Sequence, residues 1–191
     1  HPGYHCGPVA PFGDAAPRLL IIGLAPGFHG ANASGRPFTG DYAGVLLYET
    51  LHAFGWASAP VSSARDDGLV LTGARITNAV KCVPPGNKPT PAEIATCNDF
   101  LRAELAGLSG DAVVLALGAI AHGAVLRAAG LRLAAYHFAH GAEHVLPSGR
   151  HLFDSYHCSR YNTNTRRLTA AMFREVFGRA TTRALSQRET D

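Results

Sequence analysis

Three polar loops carry the residue types in this chain that could do chemistry. The first, Leu24 to Asp41, contains Ala25-Pro26-Gly27, which looks like backbone set to face a ligand, and the aromatic Phe38 two residues before Gly40. Glycine permits close backbone approach, and a phenyl ring there offers a face for a planar group; core packing is the plainer account. Asp41 closes the loop just before a helix, where simple N-capping also explains it. Asn78 opens the second loop from the end of an apolar strand. Its amide donates and accepts together, which suits a nucleobase edge, although a pairing with neighbouring backbone satisfies it equally. The third loop, His157 to Arg167, offers a histidine at a strand end, placed for general-acid or hydrogen-bonding work, or else held as a satisfied structural group. Short polar side chains and arginines follow, and these fit phosphate contacts.

The elements that must position these loops alternate. Arg18–Gly23, Arg75–Val80, Asp111–Leu117 and His151–Tyr156 read as strands; the first is a continuous apolar run suited to burial on both faces. Helices are expected at Ala43–Phe54, with Val45, Leu47, Leu51 and Phe54 on one stripe, from Pro91 to about Leu105, over Ile120–Ala129, and from near Thr169. Thr90-Pro91-Ala92-Glu93 is a capping box with Pro at the first position. The expected architecture is a single three-layer α/β/α domain over 1–191, with a central, mainly parallel four-stranded sheet and an N-terminal strap at 1–17. Ligands of such sheets sit outside the carboxyl ends of the strands, which is where the three polar loops fall.

Composition narrows the class. A chain of 191 residues buries roughly 70% of its extended surface and, at 47% hydrophobic and 16% charged, is globular. No run approaches a membrane span. The net charge is +3, and 15 of the 17 basic residues are Arg. Eight Arg against four acids from Arg150 onward point to an anionic partner such as nucleic acid, or to a solvated face. Loop one is neither a Walker A sequence nor GxGxxG, so no nucleotide cofactor is expected. His137, His140 and His144 lack zinc-site spacing and are expected in loop packing or facing DNA. The four scattered cysteines exclude a disulfide scaffold, and a reduced, cytoplasmic setting follows. The start at His1-Pro2-Gly3 has no Met and no signal peptide, which reads as a cut within a longer natural chain.

Three linked stretches resemble one family. GLAPGFHGANASGRPFTGDYAG (23–44), ITNAVKCVPPGNKPTPAEIATC (76–97) and SYHCSRYNTNTRRLT (155–169) are similar, in that order, to signatures of the uracil-DNA glycosylase superfamily, and most so to its family 5, the type-b enzymes of bacteria and archaea. LALGAIAH and GPVAPFGD extend the likeness across the chain. The resemblance implies a monomeric bacterial enzyme of base excision repair, acting at the nucleoid. It would flip deoxyuridine out of DNA and hydrolyse the N-glycosidic bond. Phe38 would stack on the uracil, and backbone near Ala25 and Gly27 would contact the base or the attacking water. Asp41 would stabilise the oxocarbenium-like sugar or position water. His157 would hydrogen-bond the uracil O2 as the anion departs. Ser159, Arg160, Tyr161, Asn162 and Asn164 would form the DNA-binding wedge, with Arg160 or Tyr161 inserted.

The sequence departs from the pattern at three points. Leu24 stands where sister families carry an acidic or amide residue, which shifts the chemistry toward Asp41 and His157. Asn78 replaces a small residue and matches the uracil-reading sister families, so a narrower specificity is expected. Cys158 replaces the Val or Pro after the histidine. The family also implies a structural 4Fe-4S cluster, for which Cys82 and Cys97 match two ligands and the other two are expected upstream of His1; the alternative is a pair of ordinary buried thiols. With only Lys81 and Lys88 present, no amine nucleophile is provided for lyase chemistry. Rival readings are a broader glycosylase for hypoxanthine, xanthine or ethenocytosine, a non-catalytic binder of damaged DNA, and a nucleotide-binding α/β protein with no role on DNA.

Overall fold

A computed structural model describes residues 1–186. Its centre is four parallel strands, β2 (Leu19–Gly23), β3 (Ala74–Asn78), β4 (Val113–Leu117) and β6 (His151–Ser155). Two short antiparallel strands, β1 (Phe12–Gly13) and β5 (Glu143–Val145), close the edges. The order is β1-β3-β2-β4-β6-β5. The expected four-stranded sheet is therefore six-stranded: β1 lies in the N-terminal strap and β5 in the His-rich loop. All five residues of β2 are buried, as are all five of β4.

Alternation along β2 builds two cores. Leu19 and Ile21 pack on α2 (Tyr42–Ala53) and α6 (Ala170–Ser186), with Leu47, Leu51, Phe173 and Phe177. Leu20 and Ile22 face the other way, onto Leu101 and Leu105 of α3 (Pro91–Ala106) and Val125 of α4 (Ala119–Ala128). The result is three layers, α2/α6, sheet, α3/α4. Thr90 caps α3 through the expected box: it accepts from the Glu93 amide at 3.2 Å, and Glu93 accepts from the Thr90 amide at 2.6 Å. On α2 the buried face is Ala43, Leu47, Tyr48 and Leu51, whereas Val45, expected on the stripe, points outward. Two single-turn helices inside the loops, α1 (Ala31–Ser34) and α5 (Arg160–Asn164), carry no periodic pattern and were not expected.

Loop one is held by a buried arginine. Arg36 Nη1 lies 2.6 Å from Asp67 Oδ1 and 3.0 Å from Ser62 Oγ, its Nη2 donates to the Arg65 carbonyl, and its guanidinium sits over the Phe12 ring. Burial opposes ionisation of Asp67, but Arg36 and the amides of Leu69, Ser63 and Ala64 hold its carboxyl far below the usual range. The side chains are 6% and 13% exposed, so removing one partner strands a nearly buried charge. Arg36→Met is expected to lower stability by about 3 kcal/mol, read as a lower urea midpoint at unchanged m-value.

Candidate active site

The carboxyl ends of the parallel strands bring the three loops together. Gly23 ends β2 and is in register with Asn78, the last residue of β3. The strand order reverses between β3 and β4 around β2, which makes this the crevice where such sheets bind ligands. Loop two is stitched to loop one by hydrogen bonds from the Ala79 amide to the Gly23 carbonyl (2.9 Å) and from the Val80 amide to the Leu24 carbonyl (3.0 Å).

Gly23 is the floor. A Cβ there would lie 2.5 Å from both Asn78 Oδ1 and the Phe38 ring, so only glycine lets the two side chains converge. Asn78 is 3% exposed, and its Oδ1 has no hydrogen-bond partner. An orphaned buried acceptor is costly and marks a place for a donor on a ligand. Phe38 is 5% exposed and adopts a left-handed φ of 57°. Its ring runs nearly parallel to that of His157, with centroids 5.8 Å apart and planes at 22°.

Asp41 serves two purposes through two oxygens. Oδ1 accepts from the Gly44 amide at 3.0 Å and caps α2. Oδ2 turns to the glycines of loop one: a Cβ on Gly30 would lie 2.7 Å from it, and one on Gly27 3.7 Å. Burial raises the Asp41 pKa above its ordinary value; the amides of Gly44 and Ala43 only partly offset this. His157 lies two residues beyond β6, and burial lowers its pKa to about 4. At neutral pH it is an uncharged imidazole with one N–H to give. Cys158 is fully buried, donates to the Ala43 carbonyl, and has its pKa pushed up to about 12 by burial, so it is an inert structural thiol.

Of the other expected residues, Ala25 and Gly27 are half-buried along loop one, and the Gly27 carbonyl accepts from the amides of Gly30 and Asn32. Ser159 caps α5 by accepting from the Asn162 amide. The Asn162 side chain donates to the His157 carbonyl at 2.8 Å. These two residues brace the loop internally. Arg160, stacked over Tyr42, Tyr161 (71% exposed) and Asn164 face outward. A cleft of about 350 Å³ runs from Phe38 and Asp41 along α2 to Arg160. A larger open hollow of about 520 Å³, between Glu143 and α6, shares no residue with this site.

The C-terminal basic residues divide. Arg150 is spent on the carbonyls of Leu108 and Ser109, and Arg179 and Arg183 on Glu143. Arg160, Arg166 and Arg167 are exposed in and just after α5; Arg160 lines the cleft, and Arg167 sits over the Tyr156 ring. Arg188 lies outside the described residues.

Cys82 lies in loop two, and Cys97 of α3 approaches that loop. Cys82 is exposed, and Cys97 Sγ accepts from the adjoining Lys81 amide at 3.5 Å. Cys6 lies at Asn32 instead. Lys81 itself is buried, with Nζ 2.6 Å from Glu104 Oε1 and 2.5 Å from Thr77 Oγ1. Both contacts hold that amine in place.

Fold and site together define a three-layer α/β domain whose strand ends gather an aromatic ring, an unpartnered amide oxygen, a carboxylate and an imidazole. The sequence profile of the uracil DNA glycosylase superfamily matches residues 10–180. A type-5 uracil-DNA glycosylase of Thermus thermophilus is 52% identical over 173 residues, 91% of this chain and 78% of the relative. One of Pyrobaculum aerophilum is 45% identical, over 91% of this chain and 75% of the relative. The crystal structure of Pedobacter heparinus SMUG2 shares the fold, with TM-score 0.55 at 16% identity over 90% of this chain and 77% of that one. The chain belongs to the uracil-DNA glycosylase superfamily, alongside the type-5 relatives.

Proposed function

We propose that the protein excises uracil from DNA by hydrolysing the N-glycosidic bond. The observation that carries this is the orphaned Asn78 oxygen beside the Phe38 ring and the uncharged His157. Uracil stacks on Phe38, gives its N3–H to Asn78 Oδ1 and takes the Asn78 amide N–H at O4. Cytosine, with an acceptor at N3 and a donor at N4, is refused by the same amide. The N1–C1′ bond breaks, its electron pair stays on uracil N1, and His157 donates to O2 as that charge develops. Water adds to C1′ and loses one proton, which balances the proton taken up by the uracil anion, leaving an abasic sugar and free uracil. Asp41 Oδ2 carries the negative charge that faces the cationic sugar. Lys81 is engaged with Glu104, which supports hydrolysis without a lyase step. Arg160, Arg166, Arg167, Tyr161 and Asn164 grip the strand and fill the gap left by the base.

The test is alkali cleavage of labelled oligonucleotides carrying U opposite G, U opposite A, single-stranded U, or hypoxanthine. Wild type is expected to cut at U. Asn78→Ala is expected to lose about 10- to 100-fold on U and nothing on hypoxanthine. An equal loss on both bases would contradict the reading role of the amide.

The active form has Asp41 ionised and His157 neutral, and both are the high-pH forms. Activity is therefore expected to fall as pH drops through the raised pKa of Asp41, above the ordinary 3.8, while His157 stays neutral down to about 4. Neither group produces a basic limb. A profile of kcat/KM against pH checks this, and Asp41→Asn should abolish the acid limb.

Cys82 and Cys97 fit half of a 4Fe-4S ligand set, which needs four thiolates. We propose that they hold one side of such a cluster, completed by thiolates outside residues 1–191. The cluster would fix loop two and supply no chemistry. Iron and sulfide analysis of the natural gene product, purified anaerobically, checks this; absence of iron contradicts it. Among the described residues no helix is long and apolar enough to cross a membrane. Action as a monomer in a cytoplasm, on chromosomal DNA, accords with this reading.

A further inference from the structure

Away from this site, a cluster of metal-ligating side chains gathers between the sheet and α4. His122 comes from α4, His144 from β5 and Asp154 from β6, and their ligand atoms all lie within 4.8 Å of one another. Asp154 is 0% and His122 4% exposed, while His144 is half-buried. His122 Nδ1 is 2.8 Å from Asp154 Oδ1, and its Nε2 is 3.0 Å from the Tyr136 carbonyl oxygen. His144 Nε2 is 3.1 Å from Asp154 Oδ2.

Both neighbours of the His122 ring are acceptors. A neutral imidazole has one N–H and one lone pair. If Nε2–H serves the Tyr136 carbonyl, the Nδ1 lone pair faces a carboxylate lone pair at 2.8 Å, which is repulsive. A positive charge must lie between them, and a proton or a metal ion supplies it.

We propose that His122 Nδ1, His144 Nε2 and the Asp154 carboxylate form a binding site for a divalent transition-metal ion of the zinc class. Two imidazoles with one carboxylate select such ions over magnesium or calcium. A tetrahedral ion with bonds of about 2.1 Å holds its ligand atoms roughly 3.4 Å apart. The two pairs to Asp154, at 2.8 and 3.1 Å, need to open by a few tenths of an ångström, while the widest spacing in the cluster, within 4.8 Å, needs to close. The half-buried His144 is the side of entry. The Tyr136 carbonyl is the outer partner that fixes the tautomer of a ligating histidine.

The site would tie the segment from Tyr136 to His144 onto Asp154 near the end of β6, three residues before His157. The same segment already grips that strand end: His140 Nδ1 accepts from the Tyr156 amide at 3.1 Å, and the two rings stack at 4.9 Å. The ion would act as a structural staple. The inference is independent of the uracil reading.

The test is titration of the dialysed full chain with Co2+, then Zn2+, in a non-coordinating buffer. One equivalent of Co2+ is expected to give visible d–d absorption without the thiolate-to-cobalt charge-transfer band that Cys82 and Cys97 would produce. Zn2+ should displace it, and the melting midpoint should rise with ion concentration. His144→Ala, at the accessible side, should weaken binding by more than about 100-fold while its metal-free melt matches wild type. Lack of stoichiometric binding by wild type would overturn the proposal and leave a proton as the positive charge. Binding retained in His144→Ala, or accompanied only by the thiolate band, would overturn it in favour of another site.

Discussion

Asp41→Asn should fold like wild type and lose uracil excision by roughly 10²- to 10⁴-fold. The substitution separates the two purposes of this side chain. An asparagine oxygen still accepts from the Gly44 amide and caps α2, since Asn caps as well as Asp. What disappears is the negative charge on the atom that faces Gly27 and Gly30. The loss should therefore fall on kcat, with the melting temperature almost unchanged. If the variant kept full activity, Asp41 would be a helix cap and nothing more. If it lost activity only through unfolding, the same conclusion would hold.

His157→Ala should cost about 10²- to 10³-fold, again mainly in kcat, because its hydrogen bond strengthens as charge reaches the uracil. Burial keeps the ring neutral at working pH, so its contribution is a placed N–H and not a full positive charge. His157→Asn retains a donor at that position and should recover part of the loss. Single-turnover rates on a uracil oligonucleotide, measured beside binding to the same DNA, separate this from weakened binding. The two losses should not add when both residues are changed, because they stabilise halves of one charge-separated state.

Much of this site was legible because it lies at strand ends. Asn78 was visible as a polar residue closing an apolar strand, and the structure leaves its oxygen buried without a partner. Asp41 showed both readings in the sequence, and it does cap α2 while its second oxygen faces loop one. The helices with a capping box or a long apolar stripe were legible within a residue or two. β1 and β5 were not: with two and three residues they have no room for a pattern, and backbone pairing to β3 and β6 makes them strands. Val45 shows the limit of helical spacing, since it fits the stripe by number yet lies 57% exposed.

Long-range polar pairs were invisible for a different reason. Arg36 and Asp67 lie 31 positions apart, and His122 and Asp154 lie 32 apart, so nothing local links them. His144 stood within a histidine-rich stretch whose spacing argued against a metal site. Only the pairing of β5 with β6 turns it toward Asp154. Ser159 and Asn162 are expected in the DNA-binding wedge, and their hydrogen bonds brace the loop that carries His157, a link that no sequence pattern shows.

The most direct measurement is the release of free uracil from a single-uracil oligonucleotide by the purified wild-type protein, quantified against abasic sites formed. One uracil per abasic site is expected, with release falling sharply in Asp41→Asn and His157→Ala. Salt-dependent DNA binding by a folded, fully loaded protein that released no uracil would contradict the account and make this a reader of damaged DNA that does not cut.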